Sequence, residues 1–283
     1  MPEVSAPASS ANLGPGFDCL AVALDLRCTV AAESASEWSV VHHGSEAPQV
    51  GSDDAVLTAA RRAVGDHQPL VLTVHNQIPI GRGLGSSAAA SAAGAAAAWL
   101  TIGDDPDPRR VLHLVTEMEG HPDNAAAAVY GGLNLIPPNG EPVRLPWHPS
   151  LQAVLAVPEQ PLATALARAA VPSEVPTEVA VRSLGRMGAL VAGLLTGDPV
   201  LLDMAAGDEL HEEPRGGIRP EVSRLIEVAR RAGAWHAAWS GAGPSVIALV
   251  ESKMAGRVAA ALMQPGIVVM RPAIATVGLQ RLA

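Results

Sequence analysis

The sequence has few cysteines and few aromatic residues, and both shortages exclude classes of protein. Two of its 283 residues are cysteines, too few for a disulfide framework or a four-cysteine zinc site. Both cysteines, Cys19 and Cys28, lie in apolar surroundings, so they are predicted to be buried free thiols in a reducing cytosol. Aromatic residues make up 2% of the chain, so its core must consist mainly of alanine, valine, leucine and isoleucine.

Positive charge is also scarce. The chain has 19 basic and 28 acidic residues, which give a formal net charge of −9. Because non-specific binding to nucleic acid or membrane usually needs a positive face, neither partner is predicted. The first residues have no basic segment followed by an apolar one, so no signal peptide is predicted and a cytoplasmic location is expected.

The length suits one large domain or two ordinary ones, and the 48% hydrophobic content is enough for a sizeable core. A proline-rich stretch, residues 137–149, is the best boundary, and it predicts domains at residues 1–148 and 149–283. The longest apolar stretch, residues 86–100, is mainly alanine and is predicted to be a packed helix, not a membrane span. Apolar periodicity predicts further helices at residues 53–64, 109–119, 179–195 and 221–232.

A glycine-rich segment at residues 78–89 (IPIGRGLGSSAA) is the centre of the sequence. A β-branched strand, residues 71–75, precedes it, and the alanine-rich helix follows it. Free amides and the positive end of the helix dipole would attract an anion, so a phosphate site is predicted. Three glycines permit backbone angles that a side chain forbids, namely Gly81, Gly83 and Gly85. Two serines are predicted to cap the helix, namely Ser86 and Ser87.

The segment matches neither of the two best-known phosphate loops. No lysine follows Gly85, as the Walker motif requires, and Ser86 stands where the dinucleotide fingerprint has its third glycine. An ordinary glycine turn capped by serine is the alternative interpretation. The strand–loop–helix context favours phosphate binding.

Two other polar segments each allow two interpretations. Residues 7–18 are dense in serine, asparagine and aspartate, which suits either a surface loop or a polar ligand. Residues 117–124 place three carboxylates near a histidine, and Glu119 lies at a helix end where the dipole disfavours negative charge. A neighbouring cation would explain Glu119, and Mg²⁺ is the natural candidate beside a phosphate. An exposed helix end is the alternative.

Histidine and arginine residues outside these segments have simpler interpretations. His42 and His43 lack a third metal ligand at useful spacing, so they are predicted to face solvent. Arg182 and Arg186 fall on one face of a predicted helix, and Arg215 is a surface charge by default.

Four segments together resemble the GHMP kinase superfamily and, within it, the homoserine kinase family. They cover nearly the whole chain in the expected order: residues 7–18 (PASSANLGPGFD), 79–89 (PIGRGLGSSAA), 119–124 (EGHPDN) and 240–245 (SGAGPS). The resemblance implies a two-domain α+β fold. Its N-terminal domain would be of the ribosomal protein S5 domain 2-like type, and its C-terminal domain would be ferredoxin-like.

The resemblance also implies ligands. ATP would lie over eleven consecutive residues: Pro79, Ile80, Gly81, Arg82, Gly83, Leu84, Gly85, Ser86, Ser87, Ala88 and Ala89. Mg²⁺ would be held by Ser87 and Glu119. Asp54 stands where an asparagine often helps to hold adenine.

The implied substrate is L-homoserine. Arginines pair well with a carboxylate and aspartates with an ammonium group, and the matching positions are Asn12, Asp18, Asp123, Arg186 and Arg215. The implied reaction is ATP-dependent phosphorylation of the side-chain hydroxyl to O-phospho-L-homoserine, in threonine biosynthesis. A homodimer is compatible with the sequence.

Catalysis would depend on positioning and charge neutralisation, with Ser87, Asp123 and Asn124 as the catalytic candidates. Asp123 is either a general base or an ammonium ligand. Homoserine kinases are generally thought to lack a carboxylate base, so Asp123→Asn is predicted to raise KM more than it lowers kcat. Two alternatives stay open: a GHMP kinase for another small alcohol, and a non-catalytic metabolite sensor on the same fold.

Overall fold

Two β-sheets carry the fold in the computed structural model, which describes residues 1–44 and 54–282. The first sheet is ordered β11-β1-β2-β4-β3, with β5 paired to β2 and β6 paired to β5. Only β3 and β4 run parallel among these pairs. Its strands are β1 (Glu3–Asn12), β2 (Gly16–Ser34), β3 (Ser39–His43), β4 (Leu70–Asn76), β5 (Leu133–Leu135), β6 (Val143–Leu145) and β11 (Gln280–Leu282).

The helices of the first half are α1 (Ala55–Val64), α2 (Ser86–Thr101), α3 (Pro108–Glu119) and α4 (Asp123–Tyr130). Helix α2 is nearly all alanine and is buried along most of its length, because it packs against β1, β2, α1 and α4. Small side chains allow this close approach. At Gly94 an added Cβ would lie 2.9 Å from the Val56 side chain, so a larger residue would force α1 and α2 apart.

The second sheet is fully antiparallel and is ordered β10-β7-β9-β8. Its strands are β7 (Leu151–Pro158), β8 (His236–Trp239), β9 (Val246–Glu251) and β10 (Ile267–Met270). The helices of this half are α5 (Thr164–Ala169), α6 (Thr177–Thr196), α7 (Pro199–Met204), α8 (Glu212–Gly216), α9 (Pro220–Arg231) and α10 (Ala255–Leu262), with a 3₁₀ turn at Ser252–Met254. Strands and crossover helices alternate in the ferredoxin-like pattern, which confirms the expected α+β fold.

The predicted strand at residues 71–75 and the predicted helices are confirmed as β4 and as α1, α2, α3, α6 and α9. The interpretation of residues 7–18 as a surface loop is wrong. Strand β1 continues to Asn12 and is buried because it pairs along its length with β2.

The division of the chain at 148/149 stays a prediction. The first sheet's strand β6 ends at Leu145 and β7 begins the second sheet at Leu151, but the last strand, β11, returns to pair with β1. Among the described residues, α6 is long and apolar enough to cross a membrane, a test that core helices also pass.

Candidate active site

A cavity of about 560 Å³ lies where the two halves of the chain meet. Its volume is within the range usual for small-molecule sites. The first half contributes residues from β1, β2, β4 and the segments before α2 and α4, and the second half contributes Thr164, Arg168, Arg215 and Gly241. The cavity has a glycine loop in its middle and a differently built end on each side.

The glycine loop connects β4 to α2 and packs directly against the second glycine turn, residues 240–245. Gly83 has a φ of +73°, and an added Cβ there would lie 2.1 Å from the carbonyl oxygen of Ser240. The Ser240 hydroxyl donates to the carbonyl of Gly83 at 2.7 Å. Two backbone segments from different halves therefore touch, and only glycine fits between them.

Gly85 is the N-cap of α2, and within the part of the chain that the structure describes no side chain caps this helix. The prediction that Ser86 and Ser87 cap it is wrong because they are its first two helical residues, and their hydroxyls point to other partners. Ser86 accepts from the Asn76 amide at 3.2 Å, and Ser87 donates to Glu119 at 2.6 Å. The first amides of α2 therefore lack side-chain caps, which leaves a helix N-terminus suited to an anion.

The structure brings Ser87 and Glu119 together beside this helix N-terminus. Glu119 is the last residue of α3, and both residues line the cavity. A hydroxyl and a carboxylate are oxygen ligands of the kind Mg²⁺ prefers. The pair therefore fits the cation that the sequence predicted.

Not all of the predicted ATP-contacting residues reach the cavity. Arg82 turns away and donates to the Glu159 carbonyl at 2.6 Å, whereas Ala88 and Ala89 are fully buried in the core beneath the loop. Pro79 does not line the cavity either. The seven that do line it are Ile80, Gly81, Gly83, Leu84, Gly85, Ser86 and Ser87.

One end of the cavity combines apolar side chains with a polar pair. Val56 and Val74 line it, and the His42 ring donates to Asp54 at 2.7 Å. The prediction that His42 faces solvent is wrong. The parallel pairing of β3 with β4 places it beside Val74, where its side chain is 7% exposed. The other oxygen of Asp54 caps α1 by accepting from the Leu57 amide at 2.9 Å.

The opposite end begins at the turn between β1 and β2. Asn12, Leu13 and Asp18 have φ angles of +71°, +52° and +55°. The Asn12 side chain donates to the Gly241 carbonyl at 2.9 Å and accepts from the Asp18 amide at 3.0 Å. Left-handed backbone at non-glycine residues persists where the surroundings enforce it, and here it fixes Asp18 at the cavity.

Asp123 and His121 lie next to Asp18. His121 donates to Asp123 at 2.6 Å, and the Asn124 amide donates to the same carboxylate oxygen at 2.7 Å. Ligand atoms of Asp18, His121 and Asp123 all lie within 4.8 Å of one another. Burial lowers the pKa of His121, but its hydrogen bond and attraction to Asp123 outweigh burial and raise that pKa overall. This cluster can hold a small cation.

Two arginines complete this end of the cavity. Arg168 of α5 binds both carboxylate oxygens of Asp18, at 2.9 and 3.1 Å. Arg215 of α8 is 1% exposed and also lines the cavity. The guanidinium carbons of Arg168 and Arg215 lie 5.9 and 5.4 Å from the ring centre of Phe17, the only phenylalanine of the chain. Arg168 was not among the predicted site residues, because a basic residue in the last turn of a short helix is an ordinary helix-end feature.

The structure does not bring Arg186 to the cavity, which corrects its assignment to the substrate carboxylate. Arg186 donates to Glu209 at 2.7 Å, and Arg182 binds the same carboxylate at 2.8 Å. The two arginines hold the pKa of Glu209 at about 2, so that carboxylate stays ionised. Of the residues predicted to bind substrate, Asn12, Asp18, Asp123 and Arg215 do line the cavity.

Comparison with known proteins identifies the family of the chain. The model for the GHMP kinases N terminal domain matches residues 54–132, and the GHMP kinases C terminal model matches residues 189–266. A homoserine kinase of Gloeobacter violaceus is 42% identical, over 87% of this chain and 86% of the relative. A homoserine kinase of Moorella thermoacetica is 37% identical, over 94% of each chain.

The fold has a matching solved structure. The crystal structure of homoserine kinase from Cytophaga hutchinsonii superposes with a TM-score of 0.87 at 28% identity. The superposition covers 99% of this chain and 97% of the other. The likeness therefore extends over both sheets and the cavity between them.

Proposed function

The chain belongs to the GHMP kinase family and resembles its homoserine kinases over nearly its full length, and on that premise we propose that it phosphorylates L-homoserine. The γ-phosphoryl group of ATP is transferred to the side-chain hydroxyl, which gives O-phospho-L-homoserine for threonine biosynthesis. One observation carries the choice of substrate. Beside the phosphate loop, the cavity holds an aspartate and an arginine paired with each other, Asp18 and Arg168.

That pair supports a zwitterionic substrate. In the proposal, the ammonium group of L-homoserine binds Asp18 and Asp123, and its carboxylate binds Arg168 and Arg215. Arginine binds a carboxylate with two parallel, charge-assisted hydrogen bonds, which also fixes its orientation. An alcohol with only one of these charges would break the Asp18–Arg168 pair and leave its other member without a partner.

We propose that the phosphates of ATP lie over the loop at Gly81–Ser87 and the N-terminus of α2. Support comes from the three left-handed glycines and from the lack of a side-chain cap on α2. The apolar end with Val56, Val74 and His42 is then left for the base. Phosphoryl transfer needs little covalent chemistry from the protein, so positioning and charge neutralisation carry most of the catalysis.

Ser87 and Glu119 are proposed to hold Mg²⁺, because their oxygens lie together beside the phosphate site. When bound, Mg²⁺ neutralises charge on the phosphate oxygens. The residues themselves supply a hydroxyl and a carboxylate at the start of α2 and the end of α3.

Asp123 is proposed to be an ammonium ligand. One of its oxygens already accepts from His121 and from the Asn124 amide, and these two hydrogen bonds fix the carboxylate at the cavity. Asn124 is fixed in turn by the Ser9 hydroxyl, which donates to its side-chain oxygen at 2.7 Å. This places Asn124 between the substrate end and the phosphate loop. A cytoplasmic location is also proposed, in keeping with two free cysteines.

The test is an assay of ADP release with ATP, Mg²⁺ and a panel of alcohols: L-homoserine, L-threonine, L-serine, mevalonate and shikimate. Turnover with L-homoserine, and phosphorus NMR of O-phospho-L-homoserine, are expected. Turnover with mevalonate or shikimate instead would contradict the amino-acid assignment. ATP binding without turnover of any alcohol would favour a non-catalytic sensor.

A further inference from the structure

Arg215 is almost completely buried, and its guanidinium is held by three hydrogen bonds. Its Nε donates to the Ala167 carbonyl at 3.1 Å, and its Nη1 donates to the Gly241 carbonyl at 3.1 Å. Nη1 also donates to Nδ1 of His211 at 2.9 Å. Within the described residues Nη2 makes no hydrogen bond, so its two N–H groups are left for a ligand.

The His211 ring can accept from Arg215 only in one tautomer, and its surroundings select that tautomer. Nε2 lies 2.8 Å from the Gly14 carbonyl oxygen and 3.7 Å from a carboxylate oxygen of Asp208, neither of which can donate. Nε2 must therefore carry the proton, which leaves Nδ1 of the neutral ring as an acceptor. Burial keeps the pKa of His211 well below its usual range, and Arg215 lowers it further, while Asp208 opposes them.

The ring is fixed on its other sides as well. Phe17 stacks on it with ring centres 4.9 Å apart and planes 23° apart. The same Asp208 accepts from the backbone amides of His211 and Glu212, at 2.7 and 3.1 Å, and so fixes the start of α8. His211 thus joins the β1–β2 turn at Gly14 to Arg215 through one rigid imidazole.

We propose that His211 is a positioning residue for the substrate carboxylate, acting by holding Nη1 of Arg215 so that Nη2 is presented to the substrate. This inference rests on the proposed function. His211 does not touch the phosphate loop, so its loss should weaken binding of L-homoserine and leave ATP binding and the chemical step intact.

Three substitutions separate the two hydrogen bonds of the ring. In His211→Asn the side-chain amide lies near the former Nδ1 and can still accept from Arg215. In His211→Gln the amide lies near the former Nε2, so the bond to Gly14 is kept and the acceptor for Arg215 is lost. His211→Leu loses both bonds.

KM for L-homoserine is expected to rise about tenfold or more in the Gln and Leu variants, which corresponds to about 1.4 kcal/mol. In the Asn variant it should stay within about threefold of the wild type, and KM for ATP and kcat should change less than about twofold in all three. If the Leu variant does not fold, the Gln and Asn variants still test whether the hydrogen bond to Arg215 matters, because both carry an amide and differ only in where it lies.

His236→Gln is the matched control. His236 is also fully buried, and its ring lies 2.9 Å from the Leu13 carbonyl and 3.2 Å from the Leu202 carbonyl, but it makes no hydrogen bond to Arg215. This variant should lower the melting temperature without raising KM for L-homoserine. A rise in its KM equal to that of His211→Gln would mean that any disturbance of the β1–β2 turn acts on the substrate, and would overturn the proposal.

A double-mutant cycle completes the test. If His211 acts through Arg215, then His211→Gln should add no further loss of kcat/KM in an Arg215→Met background. Equal losses in both backgrounds would overturn the positioning role. A wild-type protein that does not phosphorylate L-homoserine contradicts the proposed function itself, whereas an active wild type with an unchanged KM in His211→Gln contradicts only this inference.

Discussion

Backbone groups form the proposed phosphate-binding end of the cavity, whereas charged side chains form its proposed amino-acid end. The phosphate-binding end comes from one continuous segment, residues 80–87, in which glycine spacing and a helix N-terminus supply the binding groups. The amino-acid end takes Asp18, Asp123, Arg168 and Arg215 from four segments, separated by up to 197 residues between its first and last members (215 − 18). One end can be recognised in a short window of sequence, and the other exists only after folding.

The two ends also differ in how their charges are balanced before a ligand binds. The N-cap of α2 is a glycine, which has no side chain, so an anion can meet this N-terminus without displacing a capping group of that residue. At the other end Asp18 is already bound by Arg168, and Asp123 by His121. A substrate that binds there must break these existing ion pairs. A partly buried charge that is left unpaired is costly. Only a ligand with both a positive and a negative charge gives a new partner to both the aspartate and the arginine.

The largest effect should come from the contact between the two glycine loops. In Gly83→Ala the new Cβ would lie 2.1 Å from the Ser240 carbonyl oxygen, which forces the two loops apart. The left-handed backbone of the alanine adds about 1 kcal/mol of conformational strain. We expect kcat/KM for ATP to fall by about 100-fold or more, since misplacement by about 1 Å costs that much. The measurement is steady-state kinetics with ATP varied.

Gly140→Ala is the control for this substitution. Gly140 has a φ of +78°, but no atom lies within 4 Å of an added Cβ. It carries the same backbone strain without the clash, so its kinetics should match the wild type. Equal losses in both variants would show that strain alone, and not the loop contact, limits activity.

The second effect tests which arginine belongs to the amino-acid end. Arg168→Met removes the partner of Asp18, so KM for L-homoserine should rise about 10- to 100-fold, as expected for a lost charge-assisted hydrogen bond. Arg186→Met removes a partner of Glu209 outside the cavity and should change KM less than about twofold. The reverse result would show that Arg186, and not Arg168, binds the substrate carboxylate.

The substitution Asp123→Asn should have a smaller effect, and it distinguishes an ammonium ligand from a general base. The Asp123→Asn variant keeps an oxygen for the Asn124 amide but loses the negative charge, so we expect KM for L-homoserine to rise about tenfold. The value of kcat should fall less than KM rises. A loss of kcat with KM unchanged would identify Asp123 as a general base and refute the ligand role.

The smallest effect on catalysis is expected from Glu212, which lies behind the amino-acid end. Burial raises the pKa of Glu212 to about 8, although its carboxylate oxygen accepts from the Trp239 amide at 2.6 Å. In the unfolded chain this carboxyl ionises near its ordinary pKa, so between about pH 4.5 and 8 the folded state binds the extra proton. The stability that comes from the protonated Glu212 carboxyl is fully present below pH 4.5 or so and is lost as the pH rises toward about 8.

Glu212→Gln should therefore remove a slope of at most about 1.4 kcal/mol per pH unit from the free energy of unfolding in this window. Urea denaturation of both proteins from pH 5 to 8 measures it, and kcat should stay near the wild-type value. The exposed neighbour supplies the control, since Glu213→Gln should leave the slope as it is. Parallel curves for the wild type and Glu212→Gln would mean that the carboxyl is ionised in the folded protein.

Local chemistry explains which predictions were confirmed. The strand before the glycine loop and the alanine helix after it follow from short-range propensity, and both were predicted within a residue of their bounds. The serine caps were wrong because Gly85 takes the N-cap position and both hydroxyls find tertiary partners, Asn76 and Glu119. The prediction that His42 faces solvent was wrong for a similar reason, since the pairing of β3 with β4 turns its ring toward Asp54.

The sequence by itself determined the glycine loop, the helices around it and the family, because these depend on residues that are close along the chain. Tertiary structure alone decided that Arg168, and not Arg186, reaches the cavity. Both are arginines on helices of the second half, and their local sequences do not separate them. What separates them is distance in space: α5 approaches Asp18 of the first half, whereas α6 meets Glu209, and each guanidinium pairs with the nearest carboxylate.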